Sequence, residues 1–377
     1  MRIAIVAESF APQVNGVSNS IMRLLEFCRD HGHDVVVIAP GYPVSSSSNF
    51  AYGFRVVRLR SLRIPGIASF RVGIPSGRIY STIYRFQPDV VYCASPFVVG
   101  AAGILAARLL SIPCIAAFQT DVAGFATTYR LGAMVPIVWW WLRVIHNAAD
   151  RTVAPSTASI TALVEHNIDN VQHWGRGVDT QLFQPANRQE TLRRSWGAPD
   201  KTIVGYVGRL AKEKNLHRLI AVANDPTMQL VIVGDGPLGE HLRRLLPQAV
   251  FTGTLHGAEL SRAYASFDVF VHPGEHETFG QTIQEALASG VPVIATSVGG
   301  PADLIRVHET GELLEPEEFS ERIVAAIKDI RHICDYPAMA RAARLSVVHN
   351  GWERLCAQLL HQCDQVIAAR TAVKAYG

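Results

Sequence analysis

The sequence predicts an α/β protein built from two doubly wound lobes. Short apolar runs alternate with helical patterns along the whole chain of 377 residues. Most of these runs are apolar throughout, as expected of strands buried on both faces of a parallel sheet. The alternation restarts midway, and the length suits two domains better than one, so two lobes are expected.

The strands and helices of both lobes can be placed from the apolar runs. The first series of strands is predicted at 2–7, 35–40, 90–94, 114–118 and 152–155. The second series is predicted at 203–207, 230–233, 250–252, 269–272 and 293–296, with a helix at 281–289. The polar stretch 177–187 contains Pro185 and marks the join. We therefore expect an N-terminal lobe at 1–180 and a C-terminal lobe at 181–350.

This fold class also predicts where a ligand binds. In doubly wound sheets, ligands lie at the carboxyl ends of the strands. With two such lobes facing each other, the functional site is expected in the cleft between them. The loops that follow the strands are therefore the first places to look for functional residues.

Charge is distributed unevenly along the chain. Between Val35 and Ala149 there are ten Arg, no Lys, and only the acids Asp89 and Asp121, a net charge of +8 against +3 for the chain. Such a surface attracts an anionic partner. Apolar residues alternate with these arginines, which fits anionic lipid headgroups better than nucleic acid. A solvated basic face without a partner is the alternative. The arginines concerned include Arg55, Arg58, Arg60, Arg63, Arg71, Arg78 and Arg85.

Cysteine usage and apolar runs indicate a reduced, cytoplasmic protein. The six cysteines are scattered without a CxxC pair, so the sequence offers no zinc site. The apolar run at 1–7 is too short for a signal peptide, and Glu8 follows it. The 18 uncharged residues between Asp89 and Arg108 contain Pro96 and two glycines, so a buried strand and helix are expected rather than a membrane span.

Two glutamates separated by seven residues form the strongest candidate site. Glu277 and Glu285 flank the predicted start of a helix near Gly280. A helix rises about 1.5 Å per residue, so the two carboxylates lie roughly 12 Å apart, the span from a donor sugar across a diphosphate to a ribose. The amides near Phe279 and Gly280 would face the diphosphate. Taken alone, such a pair is more often two ordinary surface residues, and the next motif changes that balance.

A basic loop after the strand at 203–207 strengthens that interpretation. Arg209 and Lys214 follow the carboxyl end of this strand, and the chain has only five lysines. Cleavage of a sugar–diphosphate bond leaves charge on the departing phosphate, which an enzyme without a metal must neutralise with fixed cations. Lys212 is expected to face solvent. The alternative is a solvated charged loop.

Three further loops carry weaker signals. Gly234 ends a strand, where the absence of a side chain lets the backbone approach a base. Gly16 lies between a strand and a helix and could present its amide to a phosphate or sugar, although a turn alone also requires glycine. Asp121 follows the strand at 114–118 and is a candidate catalytic or acceptor-positioning group, or a cap of the next loop.

Several other functions lack their motifs. No Asp-x-Asp occurs, so metal-bridged phosphate chemistry lacks its usual ligands. His272 and His276 are separated by Pro273 and Gly274, which excludes a helical zinc pair. No GxGxxG follows the first strand, as a nicotinamide-dependent dehydrogenase would require. An exported binding protein would need a signal peptide.

Together these motifs resemble those of the family-4 retaining glycosyltransferases, which have the GT-B fold of two Rossmann-like lobes and a cleft. The matching pieces are 15–16, 154–156, 177–179, 208–209 with Lys214, 234–237, the two glutamates and 289–292. The stretches 7–18 and 119–125 are similar to those of GDP-mannose-dependent α-mannosyltransferases of actinobacterial mannolipid and lipoglycan biosynthesis.

The resemblance implies a role for each motif. Arg209 and Lys214 match the diphosphate-binding pair, Glu277 the donor-sugar carboxylate and Glu285 the ribose carboxylate. Catalytic roles are expected for Asp121 and Glu277, acceptor binding for Gln119 and Asp121, and donor binding for a further set. That set is Gly16, Gly234, Phe279, Gly280 and Gln281.

The resemblance also implies the reaction and its partners. GDP-mannose would be a substrate, with neither metal nor cofactor, and the acceptor a glycolipid at an anionic membrane surface. No nucleic acid and no obligate protein partner are expected, and the enzyme would lie on the inner face of the plasma membrane. The last helix is predicted to be amphipathic at 351–369. The resemblance implies that the whole C-terminal segment, 351–377, crosses back and packs on the first lobe.

Two residues depart from the family pattern. Gln119 stands where many relatives have His, and since Gln is no general base, Asp121 could fill that role. Arg176 replaces the Asn often found before Gly177. A UDP-sugar glycosyltransferase or a sugar-nucleotide epimerase of the same fold remains the alternative.

Overall fold

The computed structural model describes residues 1–13, 15–42, 49–63, 71–121, 124, 132–197, 200–332 and 335–376. The chain forms two compact units. The first unit contains the described residues of Met1–Thr127, Leu131–Arg176 and Trp352–Gly377, and the second contains those of Gly177–Gly351.

The first unit is built on an eight-stranded sheet that is parallel except at one edge. Its strand order is β10-β9-β8-β7-β1-β2-β4-β3, and only β3 and β4 pair antiparallel. The strands are β1 (Arg2–Ala7), β2 (Asp34–Pro40), β3 (Phe50–Ala51), β4 (Phe54–Leu59), β7 (Val90–Ala94), β8 (Cys114–Ala117), β9 (Arg151–Ala154) and β10 (Val171–His173). A separate antiparallel hairpin consists of β5 (Ser61–Arg63) and β6 (Arg71–Gly73).

Helices cover both faces of this sheet. Along β1, Ile3 and Ile5 belong to one buried cluster, whereas Ala4 and Val6 belong to another on the opposite face. This alternation is what makes the strand apolar throughout. The helices are α1 (Gly16–Asp30), α2 (Gly77–Phe86), α3 (Val99–Leu109), α4 (Val135–Asn147), α5 (Thr157–Glu165) and α14 (Trp352–Tyr376).

The second unit contains a six-stranded sheet that is parallel in every pairing. Its order is β13-β12-β11-β14-β15-β16, so the chain reverses its direction of winding between β11 and β14. The strands are β11 (Thr202–Val207), β12 (Met228–Val233), β13 (Val250–Gly253), β14 (Val269–His272), β15 (Val293–Thr296) and β16 (Gly311–Leu314).

The helices of the second unit bury two further clusters on the two faces of its sheet. They are α6 (Glu190–Ser195), α7 (Ile220–Asn224), α8 (Gly239–Leu245), α9 (Gly257–Ser266), α10 (Gln281–Ala288), α11 (Pro301–Leu304), α12 (Phe319–His332) and α13 (Tyr336–Val347). Short 3-10 turns occur at Lys212–Lys214 and Leu216–Leu219. Each unit is thus a doubly wound, Rossmann-like layer structure, as the alternating pattern predicts.

All ten strands predicted from apolar runs are present, to within two residues at each end. The run after Asp89 forms β7 and α3, which confirms a strand and helix there, and no described helix is long and apolar enough to cross a bilayer. β4 was missed because arginines interrupt it: Arg55 is exposed, whereas its neighbours Val56 and Val57 are buried. β10 and β16 are short strands beyond the predicted series.

The C-terminal helix α14 packs into the core of the first unit. Leu355, Leu359 and Val366 join the cluster that contains Ile3 and Ile5. The indole Nε1 of Trp174 donates a 2.8 Å hydrogen bond to the carbonyl of Leu355. The amphipathic pattern predicts a helix at 351–369, and the observed helix, Trp352–Tyr376, continues further toward the C-terminus.

Candidate active site

The candidate site of the second unit lies where the winding of its sheet reverses. β11 and β14 are neighbours, and their carboxyl ends carry the two loops that contain the candidate residues. Loops at such a reversal diverge to opposite faces of the sheet and leave a crevice that can accept a ligand. The fold therefore brings together two segments that are about sixty residues apart in sequence.

Lys214 and Glu277 meet at this edge of the sheet. Lys214 ends a 3-10 turn after β11, and its Nζ lies 2.6 Å from Oε2 of Glu277 in the loop after β14. Both side chains are about four-fifths buried. An ion pair at this distance and burial is a charge-assisted hydrogen bond with a defined geometry.

The surroundings of Glu277 keep its carboxylate ionised. Burial by itself would raise the pKa of Glu277, but Lys214 and the imidazole of His272 outweigh that effect. The pKa of Glu277 therefore lies well below its ordinary value. His272 Nε2 lies 3.4 Å from the same Oε2 atom. Glu277 is consequently suited to accept hydrogen bonds and not to donate a proton.

A second ion pair joins the same two loops. Arg218 Nη2 lies 2.6 Å from Oε1 of Glu275, and Arg218 Nη1 donates to the carbonyl of Pro273 at 3.0 Å. Asn215 Nδ2 also donates to Glu275 Oε1, at 3.3 Å. These contacts fix the loop after β14 against the loop after β11.

Arg209 and Gly234 lie at the neighbouring strand ends. Arg209 follows β11 and its side chain is exposed. Gly234 follows β12 with a φ of 132°, and a Cβ atom at this position would lie 2.0 Å from the carbonyl oxygen of Gly208. Glycine is therefore required here for close approach of two backbones. The end of β11 therefore presents the exposed guanidinium of Arg209, and the end of β12 presents backbone without a side chain at Gly234.

The start of α10 is held against the end of β15. Gly280 precedes the helix in the left-handed region, with a φ of 99°. The amide of Gly300 donates a 2.8 Å hydrogen bond to the carbonyl of Glu277, and a Cβ at Gly300 would lie 2.5 Å from Cα of Phe279. The first amides of α10 have no acceptor within the helix and carry its positive dipole end. Gln281, the first helical residue, donates its Nε2 to the carbonyl of Gly177 at 3.1 Å.

Glu285 lies one turn along α10, beside the buried Tyr264. Burial raises the pKa of Glu285 to about 7, against hydrogen bonds from Tyr264 and Gln281 that work to lower it. The hydroxyl of Tyr264 donates to Glu285 Oε2 at 2.9 Å, and Tyr264 itself is fully buried. The two glutamates of the motif are therefore in opposite electrostatic states.

The remaining predicted residues belong to the first unit. Gly16 begins α1, and a Cβ there would lie 2.0 Å from Nη1 of the buried Arg176. Gln119 is buried, and its Nε2 donates to the hydroxyl of Tyr92 at 2.9 Å. Asp121 Oδ1 accepts a hydrogen bond from the amide of Gly124 at 2.8 Å, which is the capping contact considered from sequence. Within 119–125, residues 122–123 and 125 lie outside the described residues.

Comparison with known proteins identifies the family. Residues 188–343 match the family described as Glycosyl transferases group 1, and residues 14–182 match Glycosyltransferase Family 4. A protein of Mycolicibacterium smegmatis named GDP-mannose-dependent alpha-mannosyltransferase is 48% identical over 373 residues, which cover 98% of this chain and 99% of the relative. The chain belongs to the family-4 glycosyltransferases. A second relative of the same name, from Corynebacterium glutamicum, is 47% identical over 98% of this chain and 90% of its own length.

The fold of this glycosyltransferase is the GT-B fold. HepE of Anabaena in complex with UDP superposes with a TM-score of 0.76 at 19% identity, over 97% of this chain and 100% of that one. The two Rossmann-like units predicted from sequence are thus those of a GT-B enzyme.

Sequence reasoning missed three residues that support the candidate site through their contacts. His272 contacts Glu277, Tyr264 contacts Glu285, and Arg218 holds the loop after β14. The position of His272 at the carboxyl end of a central strand was the one available signal, but it was weighed only as a zinc ligand. Among the described residues, no cluster of three or more His, Cys, Asp or Glu side chains could hold a metal ion.

Proposed function

We propose that this glycosyltransferase transfers mannose from GDP-mannose, with retention of anomeric configuration and without a metal ion, to a glycolipid acceptor. The observation that carries the proposal is the pairing of Lys214 with Glu277 beside Arg209 at the β11–β14 reversal. The choice of donor rests on relatives 47–48% identical over 98% of the chain that carry that donor in their names.

The diphosphate of the donor is assigned to the cationic strand ends. Arg209 is exposed and can reach a phosphate from solvent, and Lys214 can exchange its carboxylate partner for a phosphate oxygen. The amides at Phe279 and Gly280 and the dipole of α10 add positive potential on the other side. When the bond between the sugar and the diphosphate breaks, these groups stabilise the charge that develops on the departing oxygen.

The two glutamates are assigned to opposite ends of the donor. Glu277 remains an ionised acceptor and binds hydroxyls of the transferred sugar. Glu285 accepts hydrogen bonds from the ribose diol and must be ionised to do so with both oxygens. Gly234 leaves room for the base against the end of β12, and Gln281 supports the start of α10.

The transfer itself needs one bond broken, one bond formed and one proton moved. The bond from the anomeric carbon to the diphosphate oxygen breaks, and the acceptor hydroxyl oxygen bonds to that carbon on the same face. The proton of the hydroxyl passes to the departing diphosphate oxygen, and Asp121 is the second candidate for that proton. The donor role of Gly16 and the acceptor role of Gln119 stay predictions.

An acid-free surface of the first unit supports a membrane-bound acceptor. Helices α2, α3 and α4 all pack on one buried cluster, and none of them contains Asp or Glu. Their outer sides expose large apolar residues, with Leu109 at 68% and Trp140 at 60% exposure. The exposed set is Tyr80, Tyr84, Leu105, Leu109, Ile137, Trp140 and Val144.

Arginines lie among these apolar residues. Arg78, Arg85, Arg108 and Arg143 are exposed on the same three helices. In contrast, Arg58 donates to the carbonyl of Pro40 and is half-buried, so part of the arginine-rich segment is structural. Apolar side chains interleaved with cations and free of acids match the interface of an anionic bilayer. We assign this face, the three-helix face, to the inner surface of the plasma membrane, where a lipid-linked or lipoglycan acceptor would be found.

The donor assignment is tested by binding and by transfer. GDP-mannose and GDP should raise the melting temperature, whereas UDP-sugars and ADP-sugars should not, because a ligand stabilises the state that binds it. Arg209→Ala, Lys214→Ala and Glu277→Ala should each lower mannosyl transfer by at least about a hundredfold. Lys212→Ala is the matched control, since Lys212 is exposed in the same turn and should keep wild-type activity. Wild-type rates in the first three variants, or a preference for a UDP-sugar, would refute the assignment.

The membrane assignment is tested with vesicles of defined composition. The enzyme should float with vesicles that contain anionic phospholipid and not with purely zwitterionic ones, and salt should weaken the binding. Leu109→Asp and Trp140→Asp should each reduce flotation several-fold without lowering the melting temperature. Leu345→Asp is the control, since Leu345 is 67% exposed on the second unit. Equal flotation of all three variants would remove the three-helix face from the proposal.

A further inference from the structure

His272 has an environment that its role as the last residue of a central strand does not explain. It ends β14 with only 2% of its surface exposed. Nε2 lies 3.4 Å from Oε2 of Glu277, and Nδ1 has no hydrogen-bond partner among the described residues. The Nε2 atom of this buried imidazole thus faces the proposed sugar-binding carboxylate.

The contact defines which nitrogen carries the proton. An ionised carboxylate only accepts hydrogen bonds, so the Nε2 atom facing Glu277 must be the donor. The geometry therefore assigns Nε2 of His272 as the atom that donates to Glu277.

His272 and Lys214 bind the same oxygen of Glu277. Lys214 Nζ approaches Oε2 at 2.6 Å, and His272 Nε2 approaches it at 3.4 Å. Lys214 is also the cation assigned to the diphosphate of the donor. When a phosphate oxygen draws Lys214 away, His272 still faces Oε2 of Glu277.

The backbone around His272 is tightly packed. A Cβ atom at Gly274 would lie 3.3 Å from Cε1 of His272 and 3.3 Å from the carbonyl oxygen of Glu213. The carbonyl of Gly274 accepts a 2.9 Å hydrogen bond from Thr296 Oγ1 on β15. Gly274 therefore packs closely against both the imidazole of His272 and the loop after β11.

We propose that His272 is a positioning residue that fixes Glu277 for the sugar part of the donor, while Lys214 serves the diphosphate. The inference deepens the proposed function and rests on it. The two residues then have different roles. Loss of His272 should weaken binding and transfer of the sugar, but not binding of the nucleoside diphosphate alone. A purely structural histidine would affect both ligands alike.

The experiment compares GDP and GDP-mannose on the same variants. In His272→Phe, which removes the donor and keeps an aromatic ring, GDP should bind within about twofold of wild type. The transfer rate with GDP-mannose should fall by about tenfold to a hundredfold, because a misplaced sugar no longer reaches the reactive geometry. His272→Gln, which retains a donor group, should recover part of the rate. His146→Phe is the control, since His146 is an equally buried imidazole in the first unit.

A double-mutant cycle isolates the path through Glu277. If His272 acts through that carboxylate, His272→Phe should add little to the loss already caused by Glu277→Gln. Additive losses, wild-type transfer in His272→Phe, or an equal loss of GDP binding would each overturn the inference. Should His272→Phe fail to fold, His272→Met is measured in its place with the same criteria. A wild-type protein that binds neither GDP nor GDP-mannose would instead refute the proposed function.

Discussion

The hydroxyl of Tyr264 donates a 2.9 Å hydrogen bond to Oε2 of Glu285, the second glutamate of the motif. Tyr264 is fully buried on α9, where its ring packs against Phe183 with centroids 5.5 Å apart. The core of the second unit therefore holds the carboxyl group assigned to the ribose. Because burial raises the pKa of Glu285 to about 7, the site carries an unfavourable charge at neutral pH.

Replacing Glu285 with Gln should stabilise the ligand-free protein. The pKa of Glu285 is about 4.5 in the unfolded chain and about 7 in the folded protein, so the folded state disfavours the ionised carboxylate. The free energy of unfolding therefore falls as pH rises from about 4.5 to about 7. Glu285→Gln removes that loss and should gain up to about 3 kcal/mol at pH 8, and little at pH 4. Urea unfolding at both pH values measures this difference.

The gain in stability should come with a loss of donor affinity, since Gln cannot accept hydrogen bonds with both side-chain atoms. Glu309→Gln is the control, because Glu309 is exposed and should leave both properties unchanged. A Glu285→Gln protein that is no more stable than wild type at pH 8 would show that the carboxylate is not destabilising.

Donor affinity should depend on pH through the same residue. Because the ionised form of Glu285 binds the ribose, the Kd for GDP should rise as pH falls below about 7, by up to about tenfold per pH unit. Tyr264→Phe removes a hydrogen bond that lowers this pKa, so the loss of affinity should begin at a higher pH. Calorimetric titration with GDP from pH 5.5 to 8.5 gives both curves, and a flat wild-type curve would contradict the assignment.

Much of the fold could be predicted because the determining signals are local. Apolar runs such as 203–207 read as strands because both of their faces are buried, and Gly280 marks the start of α10. The proximity of Lys214 and Glu277 followed from a general rule, since both loops leave the carboxyl edge of one sheet. β4 was not predicted because its arginines interrupt the apolar run, although its valines are core residues.

The residues that contact the two glutamates could not be predicted, because these contacts join polar residues that are distant in sequence. His272 ends an apolar strand, and its position at that carboxyl end does not reveal that its ring faces Glu277. Tyr264 contacts a residue 21 positions away on another helix. Arg176 was noted only as a departure from the family, whereas the structure places its guanidinium against Gly16.

Asp268 should be a major determinant of stability in the second unit. It is 1% exposed, and its two carboxylate oxygens bind Arg188 and Arg193 at 3.1 Å each, while the amide of Ile203 donates to it at 2.8 Å. Removing the acid from a buried pair leaves a cation without compensation, so Asp268→Asn should cost about 3–5 kcal/mol in unfolding free energy. The exposed Asp329→Asn serves as control, and a cost below about 1 kcal/mol for Asp268→Asn would show that the arginines find other partners.

Gly234→Ala should destabilise the strand end that faces the proposed base. The new Cβ would meet the backbone of Gly208 at 2.0 Å, and a φ of 132° is unfavourable for any residue with a side chain. Because neither backbone can yield without loss of sheet hydrogen bonds, a cost of about 2–4 kcal/mol is expected. Gly77→Ala, at a helix start with open space around it, should be neutral or slightly stabilising. Thermal unfolding followed by circular dichroism compares the two variants.

Mannosyl transfer should persist when divalent metals are removed. The charge that develops on the departing diphosphate is assigned to Arg209, Lys214 and the start of α10, all of which are part of the chain. Fixed cations at the strand ends perform the neutralisation that Mg²⁺ provides in other phosphate chemistry. Initial rates in excess EDTA should therefore equal those in buffer to within about twofold, whereas Lys214→Ala should remain inactive with or without Mg²⁺. Complete loss of wild-type activity in EDTA with recovery on addition of Mg²⁺ or Mn²⁺ would mean that a metal, and not the two basic side chains, carries the leaving-group charge.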